Sequence, residues 1–400
     1  MMLRPALFLA ALTLTPAFAQ YDPAAGDPAF ARCIAELRGQ SASRGVSATA
    51  FDHHTAGLSP DMDVIALLDH QPEFRTAIWD YMAGLVDEER VDEGKAMLSQ
   101  WRDTLQRIEA EYGVDSETVV AIWGVESNYG QTFGKRPVVT SLATLSCFGR
   151  RQDFFRGEFF TTLKILEQGH VDADRLVGSW AGAFGHTQFM PSTFMRIAVD
   201  FDGDGRRDLL DSVPDALAST ANYLKQSGWQ TGQPWGYEVR LPARFDASGA
   251  GRRNKQPMST WATQGLRLAD GSPLPSSGAA GLLLPAGVEG PAFLVLRNFD
   301  ALFSYNAAES YALAIAHLSD RLRGRGPFAT PWPTDDPGLS RAERREVQEL
   351  LLERGFAIGE VDGIIGTHTR RAIRELKASL GLPDDGGRAG RRLLDALRHE

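Results

Sequence analysis

The chain has 400 residues, 43% apolar and 23% charged, the make-up of a globular protein with room for two or three domains. Its formal net charge is −9, with no basic cluster of the kind that holds nucleic acid. Past the N-terminus no stretch reaches the roughly eighteen apolar residues of a membrane helix.

The N-terminus reads as a secretory signal peptide over residues 1–19. Met1 to Arg4 carries a positive charge, Ala6 to Thr15 is a short apolar run, and Ala17-Phe18-Ala19 resembles a cleavage site. This predicts export to the periplasm. No Cys stands at the cleavage point, so no membrane anchor is expected after cleavage. Cys33 and Cys147 are the only cysteines. In an oxidising compartment they form either one disulfide or two buried thiols. A bridge would close a loop worth about 4–5 kcal/mol in the chain-entropy model.

Apolar spacing predicts helices over about 28–45, 61–70, 72–86 and 92–112, with Thr49 to His54 as loop. Asp115 or Ser116 then caps a helix that runs to Glu126. Val119, Ile122, Trp123 and Glu126 share one face of it. A carboxylate on an apolar face loses hydration unless it is protonated. A neutral Glu is what a general acid needs. A terminal Glu bonded to nearby backbone is the alternative. Pro137 to Arg151 reads as a connection with a short helix, and 153–169 as an amphipathic helix.

Gly178 to Ser192 mixes glycines, aromatics and polar groups, among them Ser179, His186, Gln188 and Phe189. Glycine lets backbone approach a ligand closely, and flat aromatics suit sugar faces. A tight helix corner is the alternative. Residues 200–211 then match an EF-hand loop. Asp200, Asp202 and Asp204 stand at positions 1, 3 and 5, Gly205 at 6, the Arg206 carbonyl at 7 and Asp211 at 12. Asp215, slightly beyond, is an alternative last ligand. Such a loop predicts a structural Ca²⁺; no cofactor is expected for the chemistry.

A helix is expected at 215–227, short strands over 236–298, and a last helix at about 307–323, preceded by Phe303-Ser-Tyr305-Asn306. Gly324 to Gly338 is rich in proline, and 326–338 reads as a linker. Residues 339–400 form a small separate unit.

Glu126-Ser-Asn-Tyr-Gly130, Gly178-Ser-Trp-Ala-Gly182, Gln188-Phe-Met-Pro191 and Tyr305-Asn306 together resemble the lytic transglycosylase B family, glycoside hydrolase family 103. Asp362, Gly363, Gly366, Thr369, Arg370, Ala372 and Ile373 resemble the signature of a peptidoglycan-binding domain. The resemblance implies a mainly α, α+β fold. It has a lysozyme-like helical catalytic core (20–325) with a small strand-containing subdomain, and a small C-terminal helical domain (339–400). It implies cleavage of the β-1,4 bond between N-acetylmuramic acid and N-acetylglucosamine in peptidoglycan, leaving a 1,6-anhydro end. Glu126 matches the catalytic acid. Ser179, Gln188, Phe189, Tyr305 and Asn306 match the cleft around it.

Two other functions compete. A muramidase would hydrolyse the same bond with water, and most glycosidases use two carboxylates for that. The motifs facing Glu126 offer neutral Ser179, Gln188 and Asn306, which favours attack from within the substrate. A non-catalytic wall-binding protein would suit the tail but not an intact Glu126.

Overall fold

The computed structural model describes residues 27–68 and 75–399. The signal peptide lies outside these residues, as do the end of the 61–70 helix and the start of the 72–86 helix. In chain order the helices are α1 (Pro28–Gln40), α2 (Ala48–Thr55), α3 (Asp63–Leu67), α4 (Ile78–Leu85), α5 (Glu88–Gln100), α6 (Arg102–Tyr112), α7 (Ser116–Ser127), α8 (Val138–Phe148), α9 (Gln152–Glu167), α10 (Pro191–Ile197) and α11 (Val213–Gln226). After them come α12 (Met258–Thr263), α13 (Arg297–Asn306), α14 (Glu309–Leu322), α15 (Arg341–Glu353), α16 (Thr367–Ser379) and α17 (Arg391–His399). The fold is mainly helical, as the sequence predicts.

Three local expectations are corrected. Residues 49–54 form a helix rather than a loop. Ser47 caps it by accepting from Ala50 N at 3.0 Å, and Phe51 is driven into the core against Phe159 and Phe160. The stretch 92–112 is two helices, broken at Trp101. The helix expected over 28–45 stops at Gln40, whereas Tyr305 and Asn306 precede α14 as expected and themselves end a further helix, α13.

Two apolar cores fill the helical body. One gathers α7, α11, α13 and α14 around Ile122, Trp123, Phe299 and Ile315. The other gathers α1, α2, α8, α9 and α10 around Phe51, Leu142, Phe159 and Phe194. Tyr223 and Tyr305 pack against both, so they mark the seam between the cores. Cys33 on α1 and Cys147 on α8 are joined by a disulfide across a sequence separation of 114.

The strands make a short ribbon and one sheet. In the ribbon, β1 (Arg136–Pro137) pairs antiparallel with β2 (Val177–Gly178). The sheet holds β3 (Gly236–Arg240), β4 (Gln256–Pro257), β5 (Arg267–Leu268), β6 (Ala279–Leu283) and β7 (Ala292–Val295) in the order β4-β6-β7-β3-β5, every pair antiparallel. Phe293 faces the helices, while Ala292 and Leu294 face a small core of the sheet's own with Trp261.

Residues 326–338 carry contacts of their own. Phe328 stacks on His317 at 3.8 Å, and the backbone N–H groups of Ala329 and Thr330 each donate to the Glu238 carboxylate at 2.8 Å. Helices α15 to α17 then close a small core of Val347, Leu351, Ile373 and Leu394. Among the described residues no helix is long and apolar enough to cross a membrane.

Candidate active site

Helix α7 is built to carry one residue into the seam. Asp115 caps it, accepting from Thr118 N at 3.1 Å and from Thr118 Oγ1 at 2.6 Å. From Thr118 to Gly124 every residue is buried. Glu126, in the last turn, is half-buried.

The chain leaves the helix through three consecutive left-handed residues: Asn128 at φ 49°, Tyr129 at 57° and Gly130 at 85°. Asn tolerates this region; for Tyr it costs about 1–2 kcal/mol. Side-chain contacts hold the turn. The Tyr129 hydroxyl donates to Arg90 O at 2.7 Å, and Gly130 N donates to Ser127 Oγ at 3.0 Å. A Cβ on Gly124 would stand 2.7 Å from the Tyr129 ring, so that position is closed to any larger residue.

Ser127 ties the turn to the glycine-rich segment by donating to His186 O at 2.6 Å. The Trp123 indole donates to His186 Nδ1 at 3.0 Å. Burial draws the His186 imidazole down to about 4. Neutral and enclosed, His186 is a structural post.

The segment 178–192 folds as a tight corner. Ser179 Oγ accepts from Ala183 N at 3.1 Å. Gln188, at φ 52°, donates through its side-chain amide to Gly185 O at 2.9 Å and Phe133 O at 3.3 Å. The corner offers Thr187 O to the Tyr305 hydroxyl at 2.7 Å. Phe189 is buried behind Tyr305, with ring centroids 5.9 Å apart. Tyr305 therefore joins the two sides of the seam. Asn306, the last residue of α13, is exposed.

The residue that completes the site lies on α14. The Tyr311 hydroxyl donates to Glu126 Oε1, and the rings of Tyr311 and Tyr305 stack with centroids 6.2 Å apart. Burial, followed by the charge of Glu126, raises both phenols well above the ordinary tyrosine value. Both therefore stay protonated, as hydroxyl donors, at neutral pH. Sequence reading missed Tyr311. Its position on an apolar helix face resembles an ordinary core tyrosine; only its nearness to Tyr305-Asn306 hinted at more.

The acidic loop follows α10. Asp200, Asp202 and Asp204 are exposed and bring one carboxylate oxygen each within 4.8 Å of one another. Backbone N–H groups of Gly203 and Gly205 donate to Asp200 at 2.7 and 2.8 Å, and Arg206 N donates to Asp204 at 2.8 Å. Asp215 is fully buried beneath the loop and accepts from Phe201 N, Asp202 N and Asp208 N at 2.7, 3.3 and 2.9 Å. Burial raises its affinity for a proton, and those donors oppose the effect. Asp211 turns outward to Arg175. Position 12 therefore stands apart from the three-carboxylate cluster in this structure, while Asp215 braces the loop.

Comparison with known proteins identifies the family. The Transglycosylase SLT domain matches residues 29–320, and a peptidoglycan binding domain matches residues 340–397. Membrane-bound lytic murein transglycosylase B of Escherichia coli (strain K12) is 36% identical over 268 residues, 64% of this chain and 72% of that protein. The crystal structure of SltB3 from Pseudomonas aeruginosa with NAG-anhNAM-pentapeptide superposes with a TM-score of 0.75 at 48% identity, over 93% of this chain and 100% of that one. Slt35 of Escherichia coli in complex with calcium superposes at 0.65 with 30% identity, over 78% of this chain and 98% of that one. The chain belongs to the transglycosylase SLT domain family of lytic murein transglycosylases and carries a peptidoglycan-binding unit at its C-terminal end.

Proposed function

We propose that Glu126 is both the acid and the base of a lytic transglycosylase acting on the β-1,4 bond between N-acetylmuramic acid and N-acetylglucosamine. The observation that carries this is the placement of Glu126. A half-buried carboxyl ends a buried helix at the seam of two cores, and the Tyr311 hydroxyl meets it there. The apolar flank and the negative end of the α7 dipole disfavour the anion, while the Tyr311 hydroxyl stabilises it. A group set between these influences can give a proton and take one back.

In the forward step Glu126 protonates the leaving glycosidic oxygen as its bond to C1 breaks. The 2-acetamido oxygen of the muramic residue stabilises the positive C1. Ionised Glu126 then takes the proton of that sugar's C6 hydroxyl, whose oxygen bonds to C1 and closes the anhydro ring. The hydroxyl outcompetes water because it is already tethered at short range. A fragment of that anhydro type is bound to SltB3, named above, which supports the reading.

The acidic loop suits a hard cation. Its donors are all oxygens, and the Asp200, Asp202 and Asp204 carboxylates converge, with the Arg206 carbonyl next in line. A bound Ca²⁺ would relieve their mutual repulsion and fix the segment behind α10, a structural role. The C-terminal unit would hold the enzyme on the wall polymer and raise its local concentration. Residues 1–19 would direct export to the periplasm, the compartment where that polymer lies.

The test is a mass spectrum of muropeptides released from purified sacculi. Products lighter by one water than hydrolysed muropeptides support the reading. Ordinary reducing ends would assign the enzyme to the muramidases.

A further inference from the structure

The C-terminal unit is docked on the catalytic core, and one contact reaches the turn that follows Glu126. Arg341, the first residue of α15, has a side chain only 13% exposed. Its backbone N and Nε donate to Asp87 Oδ2 at 3.1 and 3.0 Å. Its Nη2 donates to Asp87 Oδ1 and to Glu93 Oε2, both at 3.2 Å. Its Nη1 donates to Asn128 Oδ1.

Asn128 is the left-handed residue that ends α7, two positions after Glu126. Its own amide donates to Gln131 Oε1 at 2.8 Å, and its N–H closes the helix on Gly124 O at 3.1 Å. On its other side, Arg90 Nη2 reaches the same Oδ1 at 3.5 Å, and Arg90 O holds the Tyr129 hydroxyl. Backbone in this region persists only where surrounding contacts enforce it. Here part of the enforcement comes from a residue more than two hundred positions away, in a different unit.

Further contacts lock the docking. Arg388 forks onto Asp80 at 2.6 and 2.8 Å, Arg345 reaches Glu89 at 2.8 Å, and Arg344 donates to Asp80 O at 2.8 Å. The Asp87 side chain is only 4% exposed. Such a carboxylate requires its partner.

We propose that Arg341 is a positioning residue for Glu126: by holding Asn128, the docked C-terminal unit sets the placement of the catalytic carboxyl and so acts on turnover as well as on wall affinity. The proposal rests on the reading of Glu126 as acid and base. A guanidinium fork satisfies Asp87 and Asn128 together; a lysine ammonium has one nitrogen and cannot span both in that geometry.

The test measures kcat and KM of the full chain on a short soluble glycan of alternating N-acetylglucosamine and N-acetylmuramic acid, so that tethering to the wall does not enter. Arg341→Ala should lower kcat by about tenfold, with KM changed by less than about twofold, because a small misplacement of a reacting group has that scale of cost. Arg341→Lys keeps a cation beside Asp87 and should fall similarly; it carries the test if the alanine variant does not fold. Asn128→Gly keeps the left-handed turn and removes the side-chain acceptor. In that background Arg341→Ala should cost no further kcat. Arg398→Ala, which breaks an exposed ion pair with Glu346 inside the tail, should leave kcat unchanged.

A wild-type kcat in both Arg341 variants overturns the proposal, and so does an equal loss with and without the Asn128 side chain. An equal loss in Arg398→Ala does the same. Glu126→Gln, assayed alongside, separates the two readings. If it is inactive while the Arg341 variants are normal, only the positioning role fails. If it is active, the assignment of Glu126 fails.

Discussion

The Tyr311 hydroxyl on α14 hydrogen-bonds to Glu126 Oε1 on α7, joining the two buried helices at the point where a carboxyl meets the seam. That bond stabilises the ionised form of Glu126. Tyr311→Phe removes it and keeps the packing. Hydrogen bonds to charged groups contribute about 1.5–3 kcal/mol when buried, and solvent at half-buried Glu126 reduces this. The alkaline limb of the kcat–pH profile, where Glu126 loses the proton it must donate, should therefore move to higher pH by about one unit. An unmoved limb would mean that the hydroxyl does not act on the titrating group.

The acidic loop should respond to calcium. An ion that binds only the folded chain raises its melting temperature as its concentration exceeds the dissociation constant. Millimolar Ca²⁺ should raise the melting temperature by several degrees over chelator. Asp202→Ala should abolish the response. Asp211→Ala should preserve it, because Asp211 pairs with Arg175. Identical melting with chelator and with calcium would remove the metal from the account.

Two buried histidines predict an acid-side loss of stability. Burial draws His186 down to about 4 and His317 down to about 3. The unfolded chain titrates both near the ordinary value of about 6.5. Below that value it binds protons that the folded chain refuses, so stability falls as pH falls. The contribution is complete above pH 6.5 and is lost progressively toward pH 4, by up to about 1.4 kcal/mol per unit for each histidine. Melting temperature against pH should show this slope, and His317→Phe should make it shallower, leaving the share of His186. A flat profile from pH 7 to pH 4 would contradict the assignment.

The Cys33–Cys147 bridge fastens α1 to α8. With a sequence separation of 114, the chain-entropy model gives it about 4–5 kcal/mol. Reduction should lower the denaturant midpoint without a change in activity under native conditions. Alkylation without reduction should find no free thiol in the exported protein.

Much of this was legible in the residues. The apolar face of Val119, Ile122 and Trp123 marks α7 by its period, and Asp115 marks its start. The loop from Asp200 to Asp211 is legible because oxygen ligands need fixed spacing. Tyr311 was not, because a tyrosine on a buried helix face has the same local pattern whether it packs or donates. Helix α2 was missed because its polar His53 and His54 hide a helix held by tertiary contacts of Phe51. The docking of Arg341 on Asp87 and Asn128 was invisible because it links positions more than two hundred residues apart through charge and shape, with no periodicity to signal it.

The turnover of Glu126→Gln tests the central assignment most directly. Glutamine keeps the shape and can neither give nor take the proton. Initial rates on purified sacculi, with the melting temperature measured to show an intact fold, should fall by at least about 10²-fold, the lower end for general acid–base catalysis. Turnover near that of the wild type would contradict the account and place the acid and base elsewhere in the seam.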